Sequence, residues 1–122
     1  SSVSFVTGHE DPTKEESAVD WDALAATGGT IVVLMGVGKL PAYSAELRSA
    51  GLDPETPVAL VERATWPGMR VATGTLDTIV DVRDEAGIEP PAITVVGDVA
   101  ATRDRVRAFL RSGYETEVGE ER

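Results

Sequence analysis

Few residues of this chain have types that drive chemistry, and most of them sit at the ends of apolar runs. His9 is the only histidine, and there is no cysteine. A His-rich catalytic zinc site, a thiolate metal site and a disulfide framework are therefore excluded, and nothing in the chain obliges a metal. Spacing alone defines no Ser-His-Asp or paired-carboxylate arrangement. What remains is four short stretches: Thr7-Gly8-His9, Met35-Gly36-Val37-Gly38, Glu62-Arg63-Ala64-Thr65 and Gly97-Asp98-Val99. Each joins a small residue to a polar or soft one, and glycine lets backbone approach a ligand closely. Met-Gly-Val-Gly looks like the start of a phosphate loop, but neither GxGxxG nor GxxxxGK(S/T) is completed, so no dinucleotide site is read from it. Taken alone, Met35 reads as a core methionine at a strand end and His9 as a solvated loop residue. Glu62 reads as an exposed charge, and Trp66 as a lid over an apolar edge. Glu62 and Arg63 are adjacent, so on extended backbone they point to opposite sides and do not pair with each other.

These stretches must be positioned by the elements before them. Ser2–Val6 is apolar enough for a strand. Asp20 is placed to cap a short helix, Trp21–Ala26, that Gly28-Gly29 ends. Thr30–Met35 is a β-branched apolar run suited to a strand covered on both faces. A helix follows from Ala42 to Ala50, with Pro41 in its first turn and Gly51 as its stop. Pro57–Val61 and Met69–Ala72 are further strands, the second more polar and nearer an edge, and Trp66-Pro67-Gly68 turns the chain between them. Thr75 is placed to cap a helix reaching Ala86. Ala92–Val96 is a buried strand, and Ala101–Leu110 a last helix. Strands alternating with helices over short connections predict an α/β fold, an αβα sandwich with a mostly parallel, mixed five-stranded sheet. One domain over 1–114 and a frayed acidic tail over 115–122 are expected. In open sheets of this kind ligands bind beyond the carboxyl ends of the strands, where the four stretches fall.

The chain carries 21 Asp+Glu against 11 Lys+Arg, a formal charge of −10. Phosphates would be repelled from a broad face, which argues against a nucleic-acid partner. Only Lys14 and Lys39 are lysines. Acid excess with few lysines suggests adaptation to high salt, where screening removes self-repulsion. No run approaches the roughly 20 apolar residues of a membrane span, and no signal peptide is visible, so a cytoplasmic protein is expected. The start at Ser1 reads as the start of a piece of a longer chain.

The chain as a whole resembles the C-terminal half of the tetrapyrrole methylases, and within them the uroporphyrinogen-III C-methyltransferases. The resemblance runs from Phe5 to about Arg103 and rests on an ordered set of segments. These are Val6-Thr7-Gly8-His9, Val19-Asp20-Trp21 with Leu24-Ala25, Thr30 to Gly36, Thr56 to Thr65, Arg70 to Leu76, and Pro91 to Val99. It implies a two-domain enzyme that binds S-adenosyl-L-methionine between its domains and methylates ring carbons of uroporphyrinogen III. The product, precorrin-2, leads to cobalamin and sirohaem. It also implies that Met35, with Gly36 beside it, contacts the cofactor, and that Ala64 is small because the cofactor lies against its backbone. His9 and Arg63 are expected to orient the carboxylates of the tetrapyrrole substrate, since guanidinium pairs well with carboxylate. The family's N-terminal domain, with its Gly-x-Gly-Pro-Gly loop and candidate acid/base residues, has no counterpart in these residues. No catalytic residue is therefore assigned, and the isolated piece is expected to be inactive. Gly68-Met69 stand where the family more often has polar residues. A homodimer is the family's usual state. Two alternatives stay open: a methylase of a later corrin precursor, and a non-catalytic α/β binding or dimerisation module.

Overall fold

The β-branched run from Thr30 to Leu34 forms a strand whose alternate residues Ile31 and Val33 are 2% and 0% exposed. It is the second of five strands in the computed structural model, which describes residues 2–8 and 19–119. His9 and residues 10–18, expected as a loop from the sequence, lie outside the described residues. In chain order the elements are β1 (Val3–Thr7), α1 (Trp21–Thr27), β2 (Thr30–Leu34), α2 (Leu40–Ser49), β3 (Pro57–Glu62), β4 (Arg70–Thr75), α3 (Ile79–Ala86), β5 (Ala92–Val96) and α4 (Thr102–Gly119). Short 3-10 turns, Val37–Lys39 and Asp98–Ala101, precede α2 and α4.

Local signals place most boundaries. The Asp20 carboxylate accepts the Ala23 N–H at 2.9 Å and caps α1, and Gly28 closes that helix in the left-handed region at φ 75°. The start of α3 departs from expectation. The hydroxyls of Thr75 and Thr78 each accept the other's backbone N–H, at 3.3 and 2.9 Å. These reciprocal bonds have the pattern of a capping box: Thr75 finishes β4 and caps the turn over 76–78, and the regular helix begins after that turn, at Ile79. The last helix also runs past Leu110, to Gly119.

The sheet is mixed and five-stranded, in the order β1-β2-β5-β3-β4. Its parallel share is smaller than the sequence suggests. Only β1 and β2 pair in parallel; β5 runs antiparallel to both its neighbours, and β4 antiparallel to β3. A short apolar run such as Ala92–Val96 buries its side chains equally well in either direction, so its polarity is not written in its composition. The reversal has a consequence for the site. β5 begins where β2 and β3 end, and Gly97-Asp98-Val99 falls at the opposite edge, beside Gly28, Gly29 and Thr30.

The core lies on the face of Ile31, Val33, Val58, Leu60 and Thr94. Trp21 of α1 stacks on Tyr43 of α2, ring centroids 5.3 Å apart. The Tyr43 hydroxyl in turn shares a 2.8 Å hydrogen bond with Thr94 of β5. Ile79 of α3 is fully buried on the same face, against β4. The opposite face is open over β1 and β2, where Val3, Phe5 and Leu34 are exposed. No described helix is long and apolar enough to cross a membrane.

Candidate functional site

Because β5 starts where β2 and β3 finish, three chain segments meet at one end of the sheet and enclose a cleft of about 830 Å³. Leu34, Met35, Val37 and Gly38 come from the end of β2. Val61, Arg63, Ala64 and Trp66 come from the end of β3 and its loop, and residues 90 to 93 form the third wall. This volume lies within the roughly 300–1,000 Å³ of small-molecule sites. The described non-glycine residues with positive φ are Met35 (55°), Arg63 (51°) and Thr65 (69°). Each such conformation costs about 1–3 kcal/mol and persists where surrounding structure imposes it. All three lie at the ends of the two strands that open into the cleft.

Met35 is 64% exposed, so it is not the core methionine that its apolar neighbours suggest. It shares the cleft with Arg63 and Ala64, two other residues singled out from the sequence. Gly36 points elsewhere. A Cβ on Gly36 would sit 2.6 Å from Val33 Cγ1 and 3.2 Å from the Gly8 Cα, so glycine here permits β1 and β2 to end in contact. His9 lies outside the described residues. Gly97-Asp98-Val99 lines a separate, smaller cleft of about 250 Å³ at the far edge. The residues from Pro90 to Ile93 were not foreseen as a wall, because that requires knowing which way β5 runs. Trp66, expected as a lid, is exposed at the rim and lines the cleft.

Glu62 overturns its reading as an exposed charge: it is 6% exposed. Its partner is Arg70, opposite it in the β3–β4 register. Arg70 Nε and Nη2 donate to the two carboxylate oxygens at 2.8 and 2.9 Å, and the Glu89 N–H donates to Oε1 at 2.7 Å. Hydrogen bonding from Arg70, followed by that from Glu89, holds the Glu62 carboxyl down at about 2. Arg70 also donates to the carbonyls of Ala86 and Gly87 at 2.6 and 2.8 Å. Arg83 of α3 donates to the Val37 carbonyl at 2.8 Å, bracing the wall that follows β2. Burial pushes the Tyr43 hydroxyl up to about 12. Among the described residues no group of three or more His, Cys, Asp or Glu is arranged to hold a metal ion.

A family model described as Tetrapyrrole (Corrin/Porphyrin) Methylases matches residues 1–80. The chain belongs to the tetrapyrrole methylase family. It is similar to the S-adenosyl-L-methionine-dependent uroporphyrinogen III methyltransferase of Methanosarcina barkeri, with 54% identity over 104 residues, covering 85% of this chain and 41% of that one. Among solved structures it is similar to uroporphyrin-III C-methyl transferase from Thermus thermophilus complexed with S-adenyl homocysteine. That match has a TM-score of 0.62 and 32% identity and covers 83% of this chain and 43% of that one. It is also similar to a cobalt precorrin-4 methyltransferase, a cobalamin biosynthetic enzyme, with a TM-score of 0.70 and 25% identity, covering 79% and 40%. The chain thus spans about two fifths of the length of these relatives.

Proposed function

We propose that this chain is the C-terminal half of an S-adenosyl-L-methionine-dependent uroporphyrinogen-III C-methyltransferase and supplies one side of its cofactor cleft. The observation that carries this is the convergence of Met35, Arg63 and Ala64 on one large cleft at the strand ends, in a chain 54% identical to a methyltransferase of that name. The cleft suits the cofactor in size and in its largely apolar wall, and the small Ala64 side chain lets a ligand lie against backbone. When bound, the cofactor supplies an electrophilic methyl on a sulfonium. Met35 packs against it with a flexible, polarisable thioether, and Arg63 orients substrate carboxylates through its planar fork of donors. His9 would share that task. Holding the two reactants in line is the main demand of such a transfer. Half the cleft cannot meet it, so activity is expected only of the longer polypeptide.

The reading as a methylase of a later corrin precursor has one observation in its favour, the TM-score of 0.70 to cobalt precorrin-4 methyltransferase. Backbone likeness is shared across the family, however, and 54% sequence identity is the more discriminating measure. The acid excess supports a salt-adapted protein; a melting temperature unchanged between dilute and molar KCl would remove that part. A cytoplasmic homodimer is the assembly that goes with the reading. The decisive test is the full-length polypeptide with labelled cofactor and uroporphyrinogen III. Label in a dimethylated product is expected, and label appearing only with a later corrin precursor would overturn the substrate assignment. Arg63→Ala in that protein should raise the KM for uroporphyrinogen III, and an unchanged KM would refute the role given to Arg63.

A further inference from the structure

We propose that Glu62 and Arg70 are positioning residues for this cleft, clamping two of its walls into one frame; the ligand named below rests on the methyltransferase reading. β3 ends at Glu62 and β4 begins at Arg70, and the intervening loop carries Arg63, Ala64 and Trp66 into the cleft. The bidentate pair closes the neck of that loop. The same carboxylate accepts the Glu89 N–H, one residue before the Pro90–Ile93 wall, and the Arg63 N–H donates to the Pro91 carbonyl at 2.9 Å. Arg70 reaches on to the carbonyls of Ala86 and Gly87, so the end of α3 is fixed to the same point. Neither side chain lines the cleft. They act through the segments they hold.

The chemistry is specific to these two residue types. Glu62 is buried and uses both oxygens, so an amide in its place would set N–H groups against the guanidinium. Lysine at 70 would keep the charge but lacks the planar fork that serves two oxygens and two carbonyls at once. An ion pair elsewhere on the domain provides the contrast. Arg48 and Asp77 meet at 3.2 Å on the surface, and neither residue lines the cleft.

The test compares Glu62→Gln, Arg70→Lys and Arg48→Ala in the full-length polypeptide. Amide hydrogen exchange and calorimetric affinity for S-adenosylhomocysteine are measured for each. In Glu62→Gln the amides of the non-proline residues in 63–69 and 88–92 should exchange faster while those of β1 and β2 keep their protection. S-adenosylhomocysteine affinity should fall by about tenfold or more, about 1.4 kcal/mol. Arg70→Lys should show the same pattern and serves alone if Glu62→Gln does not fold. Arg48→Ala should alter neither quantity. Unchanged exchange in both segments overturns the proposal, and so does faster exchange spread evenly over the domain. A wild-type protein without affinity for S-adenosylhomocysteine would refute the methyltransferase reading, and the exchange pattern would still decide the clamp.

Discussion

Glu62 and Arg70 face one another across the neck of the loop that walls the cleft, joined by parallel hydrogen bonds of 2.8 and 2.9 Å. The Glu62 side chain is 8% exposed and the Arg70 side chain 49%, so the pair joins an interior anion to a residue at the surface.

The hydrogen bonds to the Glu62 carboxylate, first from Arg70 and then from Glu89, give the pair a definite pH dependence. The Glu62 carboxyl is lowered in the folded state from 4.5 to about 2. The unfolded chain therefore takes up this proton first as pH falls. The stabilisation is fully present above pH 4.5 and is lost between there and about 2. Urea midpoints of the wild type and Glu62→Gln should differ at pH 6 and converge toward pH 2. A gap that stays constant over that range would show that the pair contributes nothing through its charge.

Ala64 is exposed at the cleft and buries nothing in the core. Ala64→Leu should therefore leave stability within about 0.5 kcal/mol while filling space that a ligand would occupy. In the full-length polypeptide, calorimetry should find S-adenosylhomocysteine binding weakened by at least about tenfold, about 1.4 kcal/mol. Undiminished binding would remove Ala64 from the site.

Gly36 offers a test of packing without backbone strain, because its φ of −120° suits any residue. Gly36→Ala would place a methyl 2.6 Å from Val33 Cγ1 and 3.2 Å from Tyr43 Cε2. Overpacking costs about 1–3 kcal/mol, more than the roughly 0.4–1 kcal/mol gained by stiffening the unfolded chain. Thermal denaturation should show net destabilisation.

Tyr43 and Thr94 share a buried hydrogen bond of 2.8 Å. Tyr43→Phe leaves the Thr94 hydroxyl, 0% exposed, without that partner, at a cost of about 1–3 kcal/mol. Adding Thr94→Val removes the stranded group and should recover much of the loss. The Tyr43 hydroxyl is raised in the folded state from 10.0 to about 12, so the unfolded chain loses its proton first. Stability should decline from pH 10 to 12 in the wild type, and this contribution should be missing in Tyr43→Phe. Parallel alkaline profiles would argue against it.

What the sequence revealed follows from the range of each interaction. The Asp20 cap, the Gly28 stop and the β-branched run from Thr30 act within a few residues, and their signals are local. The direction of β5 is decided by partners more than 30 residues away along the chain, Ile31 and Val58 opposite Val96, and a short apolar run says nothing about it. That one unread direction hid the Pro90–Ile93 wall and misplaced Gly97-Asp98-Val99. The burial of Glu62 was hidden differently. Charge suggests exposure until its partner is known, and Arg70 could have been proposed from the hairpin register alone. Met35 and Ala64 have unremarkable types; their place at strand ends marked the stretches that hold them, and only resemblance to a family picked out these two residues within those stretches.

The reversed β5 also gives the cleft one wall with a particular character. Its first two residues there, Pro90 and Pro91, have no backbone N–H to offer, and the Pro91 carbonyl already accepts from Arg63. On that side a ligand would meet contour and contact, as in a mould. The strained backbone of Met35, Arg63 and Thr65 is concentrated on the β2 and β3 sides, which also carry Arg63, the one charged side chain among the described residues lining the cleft. The division is between a wall that shapes and a wall that reads.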